Sequence, residues 1–175
     1  MSTAVALDFE TSDSDPSCAC ALGMVRLEDG AVAGTLYRLI RPPKSRILFS
    51  DIHGLYWRDL CGAPTFAELL PEFTDFLHGA EILIAHNAAF DRRVLRACFS
   101  ACGAEAPGIP FACTVKGSRI GLPQLEHHRL SDVCRHLGIE LDHHKAWSDA
   151  MAAARIYLWL RRNAGLSDRD MMLKK

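Results

Sequence analysis

No CxxC pair occurs among the seven cysteines (Cys18, Cys20, Cys61, Cys98, Cys102, Cys113 and Cys134), and their number is odd. That argues against both a structural zinc knuckle and a disulfide framework. Small buried thiols in a reducing compartment are the expectation. Neither sign of charge dominates, since the formal net charge at pH 7 is −1. A protein that coats nucleic acid by electrostatics alone is thereby excluded, whereas an enzyme gripping a few nucleotides is not. Charges break every apolar run well short of the ~20 residues a membrane span needs, so no membrane partner is expected. The opening MSTAVALDFE carries no basic region ahead of its apolar stretch. No signal peptide is therefore expected, and the expected location is the cytoplasm. Low-complexity tracts and internal repeats are absent too. A chain of 175 residues is expected to form one domain, 1–175, with a core over about 4–164 and a short C-terminal extension, 165–175.

What is present reads as strands first, then an alternation of strand and helix. Residues 4–9 (AVALDF) have the pattern of a short buried strand followed by polar punctuation. Segments 19–27 and 31–40 flank Glu28-Asp29-Gly30, and Asp-Gly between apolar runs signals a hairpin. The first three strands are thus expected to form an antiparallel meander. Arg41-Pro42-Pro43 ends the third, and 44–63 reads as loop and short helix. Pro64 suits a first helical position, with Phe66, Leu69, Leu70, Phe73, Phe76 and Leu77 following at helical spacing. Pro71 interrupts that pattern and predicts a kink or two short helices. Residues 81–86 read as a fourth strand, Phe90–Cys102 as a helix stopped by Gly103, and 110–114 as a fifth strand. Leu130–Leu137, closed by Gly138, and Ala146–Arg162, ending in two arginines, read as the last helices. A mixed sheet with helices on its faces follows, an α/β fold.

Three short strings carry chemistry. Asp8-Phe9-Glu10 places two acids on one face of a strand end, because side chains two apart in a strand point the same way, with Phe9 turned back into the core. Alone, the pair identifies nothing, since acidic strand ends are common. The string from His86 to Asp91 follows a buried strand and opens a helix, so Asp91 falls in a first turn where the macrodipole favours negative charge. Ordinary capping explains such an acid equally well. His144-Lys145-Ala146-Trp147-Ser148-Asp149 puts a histidine just before the last helix and an acid within it. The run Ala150 to Ala154 makes the Asp149 face small and buried, and a buried carboxylate needs a partner.

Together these strings resemble the motifs of the DEDDh exonucleases, the proofreading-type 3′–5′ exonucleases: Asp8-x-Glu10, His-Asn-x-x-Phe-Asp ending at Asp91, and His144-x-Ala-x-x-Asp149-Ala. His53-Gly54-Leu55 resembles the family segment that lies against the terminal base, and Leu130–Ile139 resembles the helix and turn before the final motif. The likeness covers about residues 4–160 with all motifs in order. It implies a ribonuclease H-like fold, a mixed five-stranded sheet flanked by helices. It also implies a metal-dependent 3′–5′ exonuclease releasing nucleoside 5′-monophosphates. Two departures stand out. Asp13 occupies the place where the family usually has a glycine, and Cys20-Ala21-Leu22-Gly23-Met24 lacks the glutamate often found in the second strand.

Hydrolysis of a phosphodiester needs an activated water and positive charge on the phosphate oxygens, which two divalent cations supply. Oxygen-rich acids select Mg²⁺ or Mn²⁺. Four clustered carboxylates repel one another, each pair at 4 Å by about 4 kcal/mol at an effective dielectric near 20, so the cluster predicts metal-linked stability. The resemblance implies that Asp8, Glu10 and Asp149 hold one cation, that Asp8 and Asp91 hold the second, and that His144 is the general base. His143, His127 and His128 compete in principle but lack the family spacing and are expected on the solvated surface. Phe9, Thr11, His53, Leu55, Asn87 and Phe90 are the expected substrate contacts. The expected partners are nucleic acid 3′ ends, single-stranded or frayed DNA ahead of RNA. The relatives make a homodimer and association with a polymerase further expectations. No docking tail follows the last helix, which favours a free-standing enzyme. RNA 3′-end trimming or oligoribonucleotide degradation, a polymerase-bound proofreading subunit and a binding module retaining only the fold are the competing readings.

Overall fold

The computed structural model describes residues 3–174. Strands β1 (Thr3–Thr11), β2 (Ala19–Glu28) and β3 (Ala31–Leu39) form the antiparallel meander. Its hairpin turns at Asp29 and Gly30, both with positive φ (50° and 77°), the conformation a two-residue type I′ loop demands. Strands β4 (Ile82–Ala85) and β5 (Phe111–Cys113) add in parallel beside β1, giving the order β3-β2-β1-β4-β5. Helices are α1 (Ser50–His53), α2 (Trp57–Leu60), α3 (Phe66–Leu77), α4 (Ala88–Ala101), α5 (Thr114–Gly121), α6 (Leu130–Leu137), α7 (Ala146–Asn163) and α8 (Asp168–Met171).

The period of two along β1 divides the core. Val5, Leu7 and Phe9 pack with Phe73, Leu77, Val94 and Leu95 of α3 and α4 on one face. Ala4 and Ala6 pack with Val133 of α6 and Ala150, Ala154 and Ile156 of α7 on the other. Asp8 and Glu10 continue that second row, so they emerge at the carboxyl end of β1 on the α7 side.

Pro71 does not break α3, and Pro64 is not its first residue. Thr65 is the cap: its hydroxyl accepts the Glu68 N–H (3.3 Å), while Glu68 accepts the Thr65 N–H (2.7 Å). Phe66, Leu69, Phe73 and Leu77 bury one face, and the Pro71 ring lies on the solvent side, so one helix survives the missing donor. Helix α5 escaped the sequence reading because Gly117 and Gly121 weaken its pattern. A Cβ on Gly117 would meet Leu160 and Met171 at 2.7 and 2.8 Å, so α5 packs tightly on α7 and α8. Beyond α7, Met171 is fully buried, Met172 bridges Ala112, and the Leu173 N–H donates to the Phe111 carbonyl (2.8 Å). The segment after 164 therefore covers the β5 edge.

Candidate active site

Asp8 pairs with Gly23 across β1 and β2. A Cβ at Gly23 would lie 2.2 Å from the Ala146 carbonyl oxygen, so the first turn of α7 rests directly on the strand at this bare position. Asp149 belongs to that turn. Carboxylate oxygens of Asp8, Glu10 and Asp149 consequently lie within 4.8 Å of one another. Asp91, in the first turn of α4, is buried (1% exposed), and its Oδ1 accepts the Phe9 N–H at 3.1 Å. That bond fixes α4 against β1 between the two acids of the strand. Asn87 caps α4 in the left-handed region (φ 68°), which asparagine tolerates well.

The carboxyls are held toward their neutral forms. Burial raises the Asp8 pKa well above the usual carboxylate range, and Asp91, Asp149 and Glu10 raise it further. Glu10 is pushed up to about 7 by burial and by Asp149, against the opposing charge of Lys145. Burial raises Asp91 despite the Phe9 N–H, and raises Asp149 despite His143 and His144. Asp149 Oδ1 is buried without any hydrogen-bond partner. An all-oxygen donor set with mutual repulsion and an orphaned buried oxygen fits hard divalent cations.

Asp149 Oδ2 is occupied from outside the cluster. His143 Nδ1 lies 2.9 Å from it and the His144 N–H donates to it at 3.2 Å. The two imidazoles stack, with centroids 3.8 Å apart and planes 20° apart. His143 is thus a partner of the acid and not merely a solvated residue. His144 adopts φ 65°, a left-handed conformation that costs a non-glycine residue energy and recurs at functional sites. Burial, and then the charge of His143, hold the His144 pKa below its ordinary value.

Two cavities meet at Asp8, His143 and Asp149. The smaller, of about 290 Å³, is lined by Phe9, Glu10, Thr11, Phe49, Ile52, His53, Phe90 and His144 as well. A bulge between Glu10 and Thr11 leaves Cys20 of β2 without a partner, and Thr11 pairs with Ala19. His53 is buried; its Nδ1 accepts the Leu55 N–H (3.1 Å) and its Nε2 lies 3.8 Å from Cys20 Sγ. Burial lowers its pKa, so the ring is neutral near pH 7. Leu55 itself is half-buried and lies outside both linings; Ile52 and Phe49, which carry no motif, present the apolar wall instead. Asp13 binds the Asp15 N–H (2.8 Å) and Lys44 (3.0 Å), while the Ser12 carbonyl accepts the Leu48 N–H (2.7 Å). These bonds tie the loop after β1 to the segment carrying Phe49 and supply the order that a glycine would not.

The larger cavity, of about 570 Å³, is lined by Asn87, Arg119, Glu126, His127, His128 and Arg129 among others. His86 props its wall: burial holds its pKa at about 4, Nε2 donates to the His128 carbonyl (3.0 Å) and Nδ1 accepts from Thr114 (2.9 Å). His128 Nδ1 in turn meets Ser118 Oγ at 3.1 Å. His127 is exposed at the rim, as the sequence suggests, whereas His128 is half-buried in the wall of the cleft.

The "Exonuclease" family model (RNase_T) matches residues 5–157. A PolC-type DNA polymerase III from Clostridium perfringens is 33% identical over 157 residues, spanning 87% of this chain and 11% of that protein. The chain thus spans about a tenth of the length of this relative. The DNA polymerase III epsilon subunit of Aquifex aeolicus is 28% identical over 175 residues, covering 93% of this chain and 85% of its own. A structure of exonuclease X in complex with 5′-overhanging duplex DNA superposes with a TM-score of 0.76 at 21% identity, over 98% of this chain and 97% of that one, and shares the ribonuclease H-like fold. This chain belongs to the exonuclease family whose model it matches.

Proposed function

We propose that the chain hydrolyses the terminal phosphodiester at the 3′ end of single-stranded or frayed DNA and releases a nucleoside 5′-monophosphate. The observation that carries this reading is the convergence of Asp8, Glu10 and Asp149 within 4.8 Å beside a cavity of about 290 Å³, the scale of one nucleoside. Asp8, Glu10 and Asp149 would hold one Mg²⁺ or Mn²⁺, with Asp8 and Asp91 holding a second. Such a pair supplies positive charge at the phosphate and acidifies water. His144 takes the proton of the attacking water on its imidazole, which its lowered pKa keeps neutral near pH 7. The water oxygen bonds to phosphorus, the P–O3′ bond breaks, and the 3′ oxygen of the shortened strand takes a proton from solvent. Phe9, Thr11, Phe49, Ile52, His53 and Phe90 enclose the departing nucleoside and exclude water from its base. Contacts of this kind tolerate any base, so the activity is sequence-independent.

The preference for DNA rests on relatives that are named DNA polymerases. The same relatives support a polymerase as a partner, testable by co-purification. A time course on end-labelled DNA and RNA oligonucleotides tests the reaction. Stepwise release of mononucleotides from the 3′ end, faster on DNA and stopped by EDTA, is expected. Internal cleavage or no cleavage contradicts the reading.

A further inference from the structure

We infer that the larger cavity is a strand-binding subsite in which Arg119 and Arg129 take the phosphates next upstream of the scissile one. This rests on the exonuclease reading above and adds to it a path for the rest of the substrate.

The argument is one of connectivity. The two cavities share Asp8, His143 and Asp149 and no apolar wall. A strand whose scissile phosphate sits at those acids, with its last nucleoside in the smaller cavity, must leave through the larger. The chemistry of the larger cavity suits a backbone and not a base. Its rim carries Arg119, Arg129 and His127, all exposed, and its aliphatic lining is limited to Val115 and Leu130. Glu126 is the one acid beyond the metal-site residues, and it lies 3.9 Å from His127 Nε2.

Two further observations point to an anionic ligand. Among the described residues, neither the Arg119 nor the Arg129 guanidinium forms an ion pair or a hydrogen bond; Arg46, Arg96 and Arg155 are equally free, but of these five only Arg119 and Arg129 line this cavity. The wall they stand on is also fixed. His86 holds the His128 carbonyl and Ser118 holds the His128 ring, which anchors the 122–129 loop to β4 and α5 at once. Two unpaired guanidiniums on a braced wall beside a phosphate-cleaving centre are preorganised for bidentate phosphate contacts. The ligand is a single strand of at least three nucleotides.

The test compares two substrates in wild type and in the double variant R119A/R129A, with Arg96→Ala on the far part of α4 as a surface control. One substrate is a 20-nucleotide oligothymidylate; the other is the p-nitrophenyl ester of thymidine 5′-monophosphate, which has no upstream phosphate. In the double variant the ratio of oligonucleotide to ester kcat/KM is expected to fall by about tenfold, through KM. The slope of log affinity against log salt should become shallower by about 0.7 per arginine removed. Arg119→Lys with Arg129→Lys should recover part of the ratio, since a point charge replaces the fork. An unchanged ratio and salt slope, with both substrates still cleaved, overturns the subsite and leaves the exonuclease reading standing. If wild type cleaves neither substrate, the exonuclease reading falls and the subsite with it.

Discussion

Gly23 lies so close beneath Ala146 that a Cβ there would come within 2.2 Å of the Ala146 carbonyl oxygen and 2.6 Å of the Trp147 nitrogen. Both obstacles are backbone, so no rotamer change relieves them. This contact sets the height of α7 over the sheet and hence the distance from Asp149 to Asp8. Gly23→Ala should destabilise the fold by about 1–3 kcal/mol. It should also lower kcat by about a hundredfold, the loss that misplacing a reacting group by about 1 Å can cause. Chemical denaturation and steady-state kinetics on one preparation check both, and wild-type values for either would contradict the packing argument.

The carboxylate cluster makes stability depend on pH with a definite sign. Glu10 titrates near 4.5 when exposed and at about 7 when folded, so the folded chain binds the extra proton between those values. Without cations, stability should therefore be greatest below about 4.5 and decline as pH rises toward about 7. Asp8 and Asp91, also raised, add to the decline with the same sign. Melting temperature in EDTA should fall over this range, and adding Mn²⁺ at the alkaline end should restore it. A cation-free melting temperature that rises with pH would argue against a repulsive cluster.

Asp8→Asn separates function from stability. The amide removes one charge from the cluster, so the EDTA-treated variant should melt a few degrees higher than wild type at pH 8. Its exonuclease activity should fall by three orders of magnitude or more. Thermal shift assays and end-labelled digestion read these out. A variant that is both less stable and fully active would overturn the role given to Asp8.

The neighbouring histidines should behave differently. His144→Ala should lower kcat by about 10²–10⁴ with little change in KM, the usual effect of losing a general base. His143→Ala leaves Asp149 Oδ2 with only the His144 N–H. Its expected effect is a 10–100-fold weaker cation affinity, largely overcome by raising Mn²⁺. Activity against Mn²⁺ concentration for the two variants distinguishes these outcomes.

Much of the site is legible in the sequence because it depends on local periodicity. Two acids two apart on a strand share a face, and Asp91 and Asp149 follow as first-turn acids of helices whose starts are readable. Leu130–Leu137 ends at Gly138 as its pattern demands, since only an αL residue closes that turn cheaply. What stayed hidden depends on distant packing. Gly23 carries no signal of its own until α7 is placed on it. Ile52, and not Leu55, faces the cleft because Gly54 turns the chain after α1. Helix α5 carries two glycines that tertiary contact with Leu160 requires, against local propensity. Arg119 and Arg129 belong to no motif, and only the fold brings them to the cavity that Asp8 also lines.

The central claim, that Asp8, Glu10, Asp91 and Asp149 cage a pair of divalent cations, is tested most directly by diffraction from crystals soaked in Mn²⁺ with a nucleoside 5′-monophosphate. Anomalous density is predicted at two positions, one among Asp8, Glu10 and Asp149 and one between Asp8 and Asp91. Saturating Mn²⁺ with no anomalous peak among these four carboxylates would contradict the account.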